Sequence, residues 1–105
     1  MPSGILGKIN LNTANTSNVV YVVPNSKTAS FTINMVNRNS DLDTLAKIAL
    51  AATDTPDDSE YIEFNASIPP YGVLERTGLV AGANANVVVT VSQANVTVTV
   101  YGYEE

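Results

Sequence analysis

Cysteine and histidine are both absent from this chain of 105 residues. Without cysteine there are no disulfides and no thiolate metal sites, and the redox compartment is left open. Without histidine the other common transition-metal ligand is gone, together with every Ser-His or Cys-His nucleophile pair and the usual neutral-pH general base. The expectation is a protein that is not an enzyme, with no catalytic residues and no bound cofactor. Charge is scarce as well, at 14% of residues, with ten acids against five bases for a net −5. Phosphate backbones and anionic membranes are bound by clustered Lys and Arg. Here Lys8, Lys27, Arg38, Lys47 and Arg76 are scattered singly, so neither nucleic acid nor a membrane surface is expected as a partner. No run of about 18 apolar residues exists to cross a bilayer as a helix. The opening MPSGILGKINLN lacks the basic start and apolar core of a signal peptide, so the expectation is either a chain mature as given or one that leaves its cell by another route, such as lysis. Asparagine and threonine take the place of charge and give a neutral, hydrogen-bonding surface.

What is present is alternation. In residues 86–103 (NVVVTVSQANVTVTVYGY) Val87, Val89 and Val91 point one way, and Val96, Val98 and Val100 repeat the pattern after a polar break. Successive strand residues face opposite sides, so each segment has one apolar face. Thr90, Thr97 and Thr99 fall on the other face, where β-branched residues suit a pleated surface. The four-residue break Ser92-Gln93-Ala94-Asn95 is short enough for a β-hairpin, although it lacks an Asn-Gly or Asp-Gly pair. The reading here is a hairpin.

Upstream, residues 5–11 read as a first, edge-type strand, and residues 19–23 (VVYVV) as a strand buried on both faces or central in its sheet. Residues 28–37 alternate with Ala29, Phe31, Ile33 and Met35 inward and Ser30, Thr32 and Asn34 outward. Residues 43–53 (DTLAKIALAAT) fit two templates. A helix would gather Leu45, Ile48, Ala49 and Ala52, and a strand would gather Ala46, Ile48, Leu50 and Ala52. Agreement with the neighbouring strands favours the strand. Residues 54–60 read as a loop with one helical turn capped by Thr55, with Pro56 at the first helical position. Strands over 61–65 and 73–80 flank a Pro69-Pro70 turn, and Gly78 marks a bulge. Seven to eight short antiparallel strands in one domain, residues 1–105, predict an all-β sandwich or jelly roll.

Four sets of residues invite functional readings. Asp54, Asp57, Asp58 and Glu60 form the one carboxylate cluster, and calcium is held by about six to eight oxygens. The spacing matches no EF-hand loop, and a solvated turn whose acids favour a helix N-terminus is the preferred reading. Glu63 and Glu75 would be a glycosidase pair only if they met. Alternation instead turns Glu63 to solvent and makes Glu75-Arg76 a surface ion pair or cross-strand partner. Tyr61, Tyr71, Tyr101 and Tyr103 are enough for an aromatic platform, against the ordinary role of tyrosine at the rim of a β core. Acceptor patterns for glycosylation at Asn15, Asn65 and Asn95 are what chance provides in an Asn- and Thr-rich chain.

Exposed sheet edges need cover. The apolar N-terminal segment 1–11, a contact arm or edge strand, and the C-terminal strand are the expected contact elements, with Ile5, Leu6, Ile9, Tyr71, Tyr101 and Tyr103 as partner-contact residues.

Residues 60–80 (EYIEFNASIPPYGVLERTGLV) and 95–105 (NVTVTVYGYEE), with the preceding 37–56, resemble small virion structural proteins of tailed bacteriophages, cyanophage-like ones included. The likeness runs through Asp54-Thr55-Pro56, Glu60-Tyr61-Ile62-Glu63, residues 72–78 and residues 101–105. These motifs carry no chemistry and so transfer no active site. The resemblance implies a β-sandwich on the virion, foremost a capsid decoration (cement) subunit. Its partner would be the major capsid protein or another virion subunit, and it would form homo-oligomers such as trimers. A tail, neck or fibre-associated subunit is the close alternative, and a glycan-binding module on the virion surface is an alternative of another class.

Overall fold

The computed structural model describes residues 3–105; residues 1 and 2 of the expected arm lie outside them. Eight strands follow in order: β1 (Ser3–Leu11), β2 (Asn18–Val22), β3 (Ala29–Asn37), β4 (Thr44–Ala51), β5 (Tyr61–Ile68), β6 (Val73–Ala81), β7 (Asn86–Val91) and β8 (Val96–Glu104). They form two four-stranded antiparallel sheets, A with order β1-β8-β3-β6 and B with order β2-β7-β4-β5. The pairs β1–β8, β2–β7, β3–β6 and β4–β5 are nested. The chain is thus one long hairpin, folded at the β4–β5 loop and rolled so that β8 also meets β3 and β7 meets β4. This winding is the jelly-roll form of the β-sandwich.

The core fills from both sheets. Ala29, Phe31, Ile33 and Met35 enter from β3, while Val96, Val98 and Val100 enter from β8. Val87, Val89 and Val91 face them from β7, with Ala46 and Ile48 from β4. All of these are buried, and each large aliphatic removed from water stabilises the fold by about 1.5–3 kcal/mol. The inward and outward sets expected on β3 are those observed. Within residues 43–53 the strand reading holds over Thr44–Ala51, because Ala46, Ile48 and Leu50 pair in register with Val91, Val89 and Val87 of β7, while Ala52, expected on the same face, lies exposed past the strand end.

Two expectations about arrangement are corrected. β7 and β8 do not form a hairpin. They lie in opposite sheets, and residues 92–95 cross from one to the other. Those residues bond to other strands: Ser92 N–H to Leu45 O (3.0 Å), Gln93 N–H to Thr44 Oγ1 (3.1 Å) and Asn95 N–H to Leu11 O (2.8 Å). β2 is an edge strand rather than a central one. A bulge at Val20 reorients it, leaving Val19 and Val22 at 36% and 47% exposure.

The two long sides of the sandwich close differently. On one side β1 approaches β2 so closely that a Cβ at Gly7 would lie 2.5 Å from Val20 O. On the other, Arg76 of β6 donates to the Glu63 carboxylate and to Ile62 O (3.0 Å) of β5. Glu63 therefore turns toward the sheet junction rather than to solvent. Arg76, in register with core-facing Ile33, is shared with Glu63 and not with Glu75.

Candidate functional site

The outer face of sheet A carries a groove of about 390 Å³ lined by Ser30, Thr32, Gly78, Val80, Tyr101 and Tyr103, with Phe31, Leu79 and Gly102 beneath. Strand register explains it. One rung of side chains runs Ser3–Tyr103–Ser30–Val80 across β1, β8, β3 and β6, and the next runs Ile5–Tyr101–Thr32. The short hydroxyl side chains of β3 thus form a floor between two tyrosines on β8 and a valine on β6. The next position on β6 is the bulge at Gly78, whose φ of +70° favours glycine. No atom lies within 4 Å of a Cβ built there, so that end of the groove is open. At Gly102 a Cβ would lie 2.0 Å from Ser30 O, so only glycine lets β8 lie this close to β3.

The groove has a fixed polar rim. Tyr101 Oη donates to the Glu75 carboxylate (2.9 Å), which also accepts from Asn34 Nδ2 (3.4 Å). That bond to a carboxylate, with some loss of hydration, holds the Tyr101 hydroxyl above its ordinary pKa of 10.0. Ile5, at 62% exposure, stands beside Tyr101.

Of the expected contact residues, the structure brings Ile5, Tyr101 and Tyr103 together here. Leu6 and Ile9 are half-buried and pack on the core. Tyr71, at 70% exposure, stands apart on the β5–β6 turn, where its own φ is +58°. Tyr61 lies on sheet B, edge-on to Phe64 with ring centroids 5.2 Å apart. The four tyrosines are therefore not one platform.

Sheet B has an apolar outer face of its own. Ala49, Ala51 and Val88 lie flat beneath Tyr61, and Val19, Val22, Leu45 and Phe64 stand exposed around them. Lys47 is the charged residue here among those described, and its Nζ sits 4.6 Å from the Phe64 ring centroid.

The acidic loop does structural work. Glu60 accepts from Asp57 N–H (2.8 Å) and Ala52 N–H (2.9 Å). These two bonds, the Asp57 one foremost, hold its carboxyl below the ordinary range. The helical turn is a 3-10 turn, Asp58–Glu60, capped at Asp57 rather than Thr55, because Glu60 reaches back to the Asp57 amide. Among the described residues no three acidic side chains converge as a metal site would need. Glu63 and Glu75 lie on opposite faces of the sandwich wall, since Glu75 pairs with outward Asn34 and Glu63 with Arg76.

Two buried polar arrangements escaped the sequence reading. Asn37 is fully buried and donates to Leu42 O, Ile68 O and Pro69 O, while its Oδ1 accepts from the backbone and side chain of Asn39. It ties the β3–β4 and β5–β6 loops together. Tyr21 donates to buried Glu104, joining β2 to β8 across the sandwich. Burial, then this bond, pushes the Tyr21 hydroxyl far above its ordinary pKa. A tyrosine inside a valine run, and an acid four residues after inward Val100 on the same side of the alternation, were the available signals. No protein-family model matches the chain, and no curated protein matches it.

Proposed function

We propose that the chain is a structural subunit of a tailed-phage particle, a capsid decoration protein that reinforces the shell by contact alone. The observation that carries this reading is where the charge is placed. Of fifteen charged residues, those standing on the two outer sheet faces are Lys8, Glu75 and Lys47. The rest occupy turns, ends or inward positions. Both broad faces are left for apolar and hydroxyl side chains, and sheet B exposes Val19, Val22, Leu45 and Phe64 together. A face depleted of charge, with Tyr61 and Phe64 along its β5 edge, resembles the core of a protein interface.

The resemblance of residues 60–80 and 95–105, with the preceding 37–56, to phage virion proteins supports the virion setting, and the jelly roll is a form that viral coat domains share. Sheet B would rest on the major capsid protein, with copies of the chain meeting at lattice junctions as homo-oligomers. A standard interface buries about 1,600 Å², and repetition over the shell multiplies modest contacts. A reconstruction of the encoding phage tests this. Density for the chain on every shell facet is the expected result, density confined to tail or neck moves the subunit there, and its absence from the particle overturns the reading.

A further inference from the structure

We propose that the groove over Ser30 and Thr32 binds a neutral saccharide, a reading independent of the shell contact assigned to sheet B. Its walls offer the two surfaces that a sugar ring presents. Tyr101 and Tyr103, at 39% and 43% exposure, supply aromatic area against which the C–H face of a pyranose can pack, and Val80 supplies the opposite apolar wall. Hydroxyls of Ser30 and Thr32 lie on the floor, each able to donate and accept. The Glu75 carboxylate at the rim keeps acceptor capacity beyond its bonds to Tyr101 and Asn34.

Charge and backbone narrow the class of ligand. No Lys or Arg lines the groove, and Glu75 beside it disfavours an anion, so acidic sugars, phosphates and nucleic acid fit poorly. An added peptide strand is excluded by the floor itself, because β3 is already paired with β6 on one side and β8 on the other. The groove is shallow and open to solvent, and its volume near 390 Å³ suits one face of a sugar laid across it rather than an enclosed ligand. Tyr101 is pre-positioned by Glu75, which reduces the ordering that binding must impose.

The test is an array of neutral oligosaccharides built from glucose, galactose, mannose and N-acetylglucosamine, probed with the full chain. The strongest binder is then titrated by following tyrosine fluorescence or amide NMR shifts. Tyr101→Ala and Tyr103→Ala are each expected to weaken binding by about tenfold or more. Ser30→Gln, which fills the floor and leaves both rings, should weaken it similarly. Tyr71→Ala, remote on its turn, should leave it unchanged. Melting temperatures of all four variants report folding separately. An array with no saccharide bound overturns the proposal, as does binding that survives both tyrosine variants. So does a dimer that buries the groove and is broken by Ser30→Gln. None of these outcomes touches the sheet B contact, which is read from loading onto particles.

Discussion

Single residues decide how tightly this sandwich closes. Gly7 allows β1 to reach β2, and any Cβ there meets the Val20 carbonyl at 2.5 Å. Gly7→Ala should therefore cost about 1–3 kcal/mol in urea unfolding, whereas an alanine at Gly82, with open space around it, should cost far less. Tyr21 contributes through its proton. Its hydroxyl pKa is raised in the folded state by burial and by Glu104, and that of Tyr101 is raised by Glu75. A group with a raised folded pKa stabilises fully below its unfolded value, and that stability is lost as pH rises through the folded one. Melting temperature should hold up to about pH 10 and then fall, and Tyr21→Phe should reduce the alkaline part of that fall. The same variant leaves the buried Glu104 without its donor, which costs about 1–3 kcal/mol at neutral pH.

At the scale of elements, the acidic loop is the fold point of the long hairpin, and Glu60 pins it to Asp57 and Ala52. Its pKa is lowered, so this contribution is present above the ordinary carboxylate value of 4.5 and lost as pH falls below it. Glu60→Gln should lower the melting temperature at pH 7, where the parent carboxylate is charged, and change it little well below pH 4.5, so that the acid limb of the profile flattens. The sequence reading placed a loop with a helical turn here but gave the cap to Thr55. Residue type could not separate Thr55 from Asp57, and the reach of Glu60 did. Asn37 stands at the end of the alternating residues 28–37, and its residue type gives no sign of burial, since asparagine is common in turns. Its burial follows from the β3–β4 and β5–β6 loops converging on one point, which no local pattern records.

For the whole molecule, nested pairing means that β1 finds its partner in β8, at the far end of the chain. Loop closure on that scale precedes any reward from contact, so refolding should take milliseconds to seconds, as for other sandwiches of non-local pairing. Stopped-flow fluorescence of the tyrosines measures it. Function at this scale rests on faces rather than on any one group. Phe64→Asp, at a 58% exposed position, should cost about 1–2 kcal/mol of stability through its contacts with Tyr61 and Lys47, leave the chain folded, and reduce loading onto decorated particles. Tyr101→Ala should leave loading intact. A loss of loading with Tyr101→Ala and not with Phe64→Asp would place the shell contact on sheet A instead.

The sequence by itself determined where most strands lie, their number as seven or eight, and the direction of most side chains, because period-two alternation is a consequence of local backbone geometry. Ala29 through Met35 and the six alternating valines of residues 87–100 read the same way before and after folding. Tertiary structure alone decided which strand lies beside which. Val87, Val89 and Val91 fill the core equally well whether Val96, Val98 and Val100 sit next to them or across from them. Nothing in the alternation distinguishes a hairpin from a crossing between sheets, and the hydrogen bonds of residues 92–95 to Leu45, Thr44 and Leu11 settle it. The groove shares this origin. Tyr101, Ser30, Thr32, Gly78 and Val80 lie on three strands distant in sequence, and only the pairing register sets them side by side.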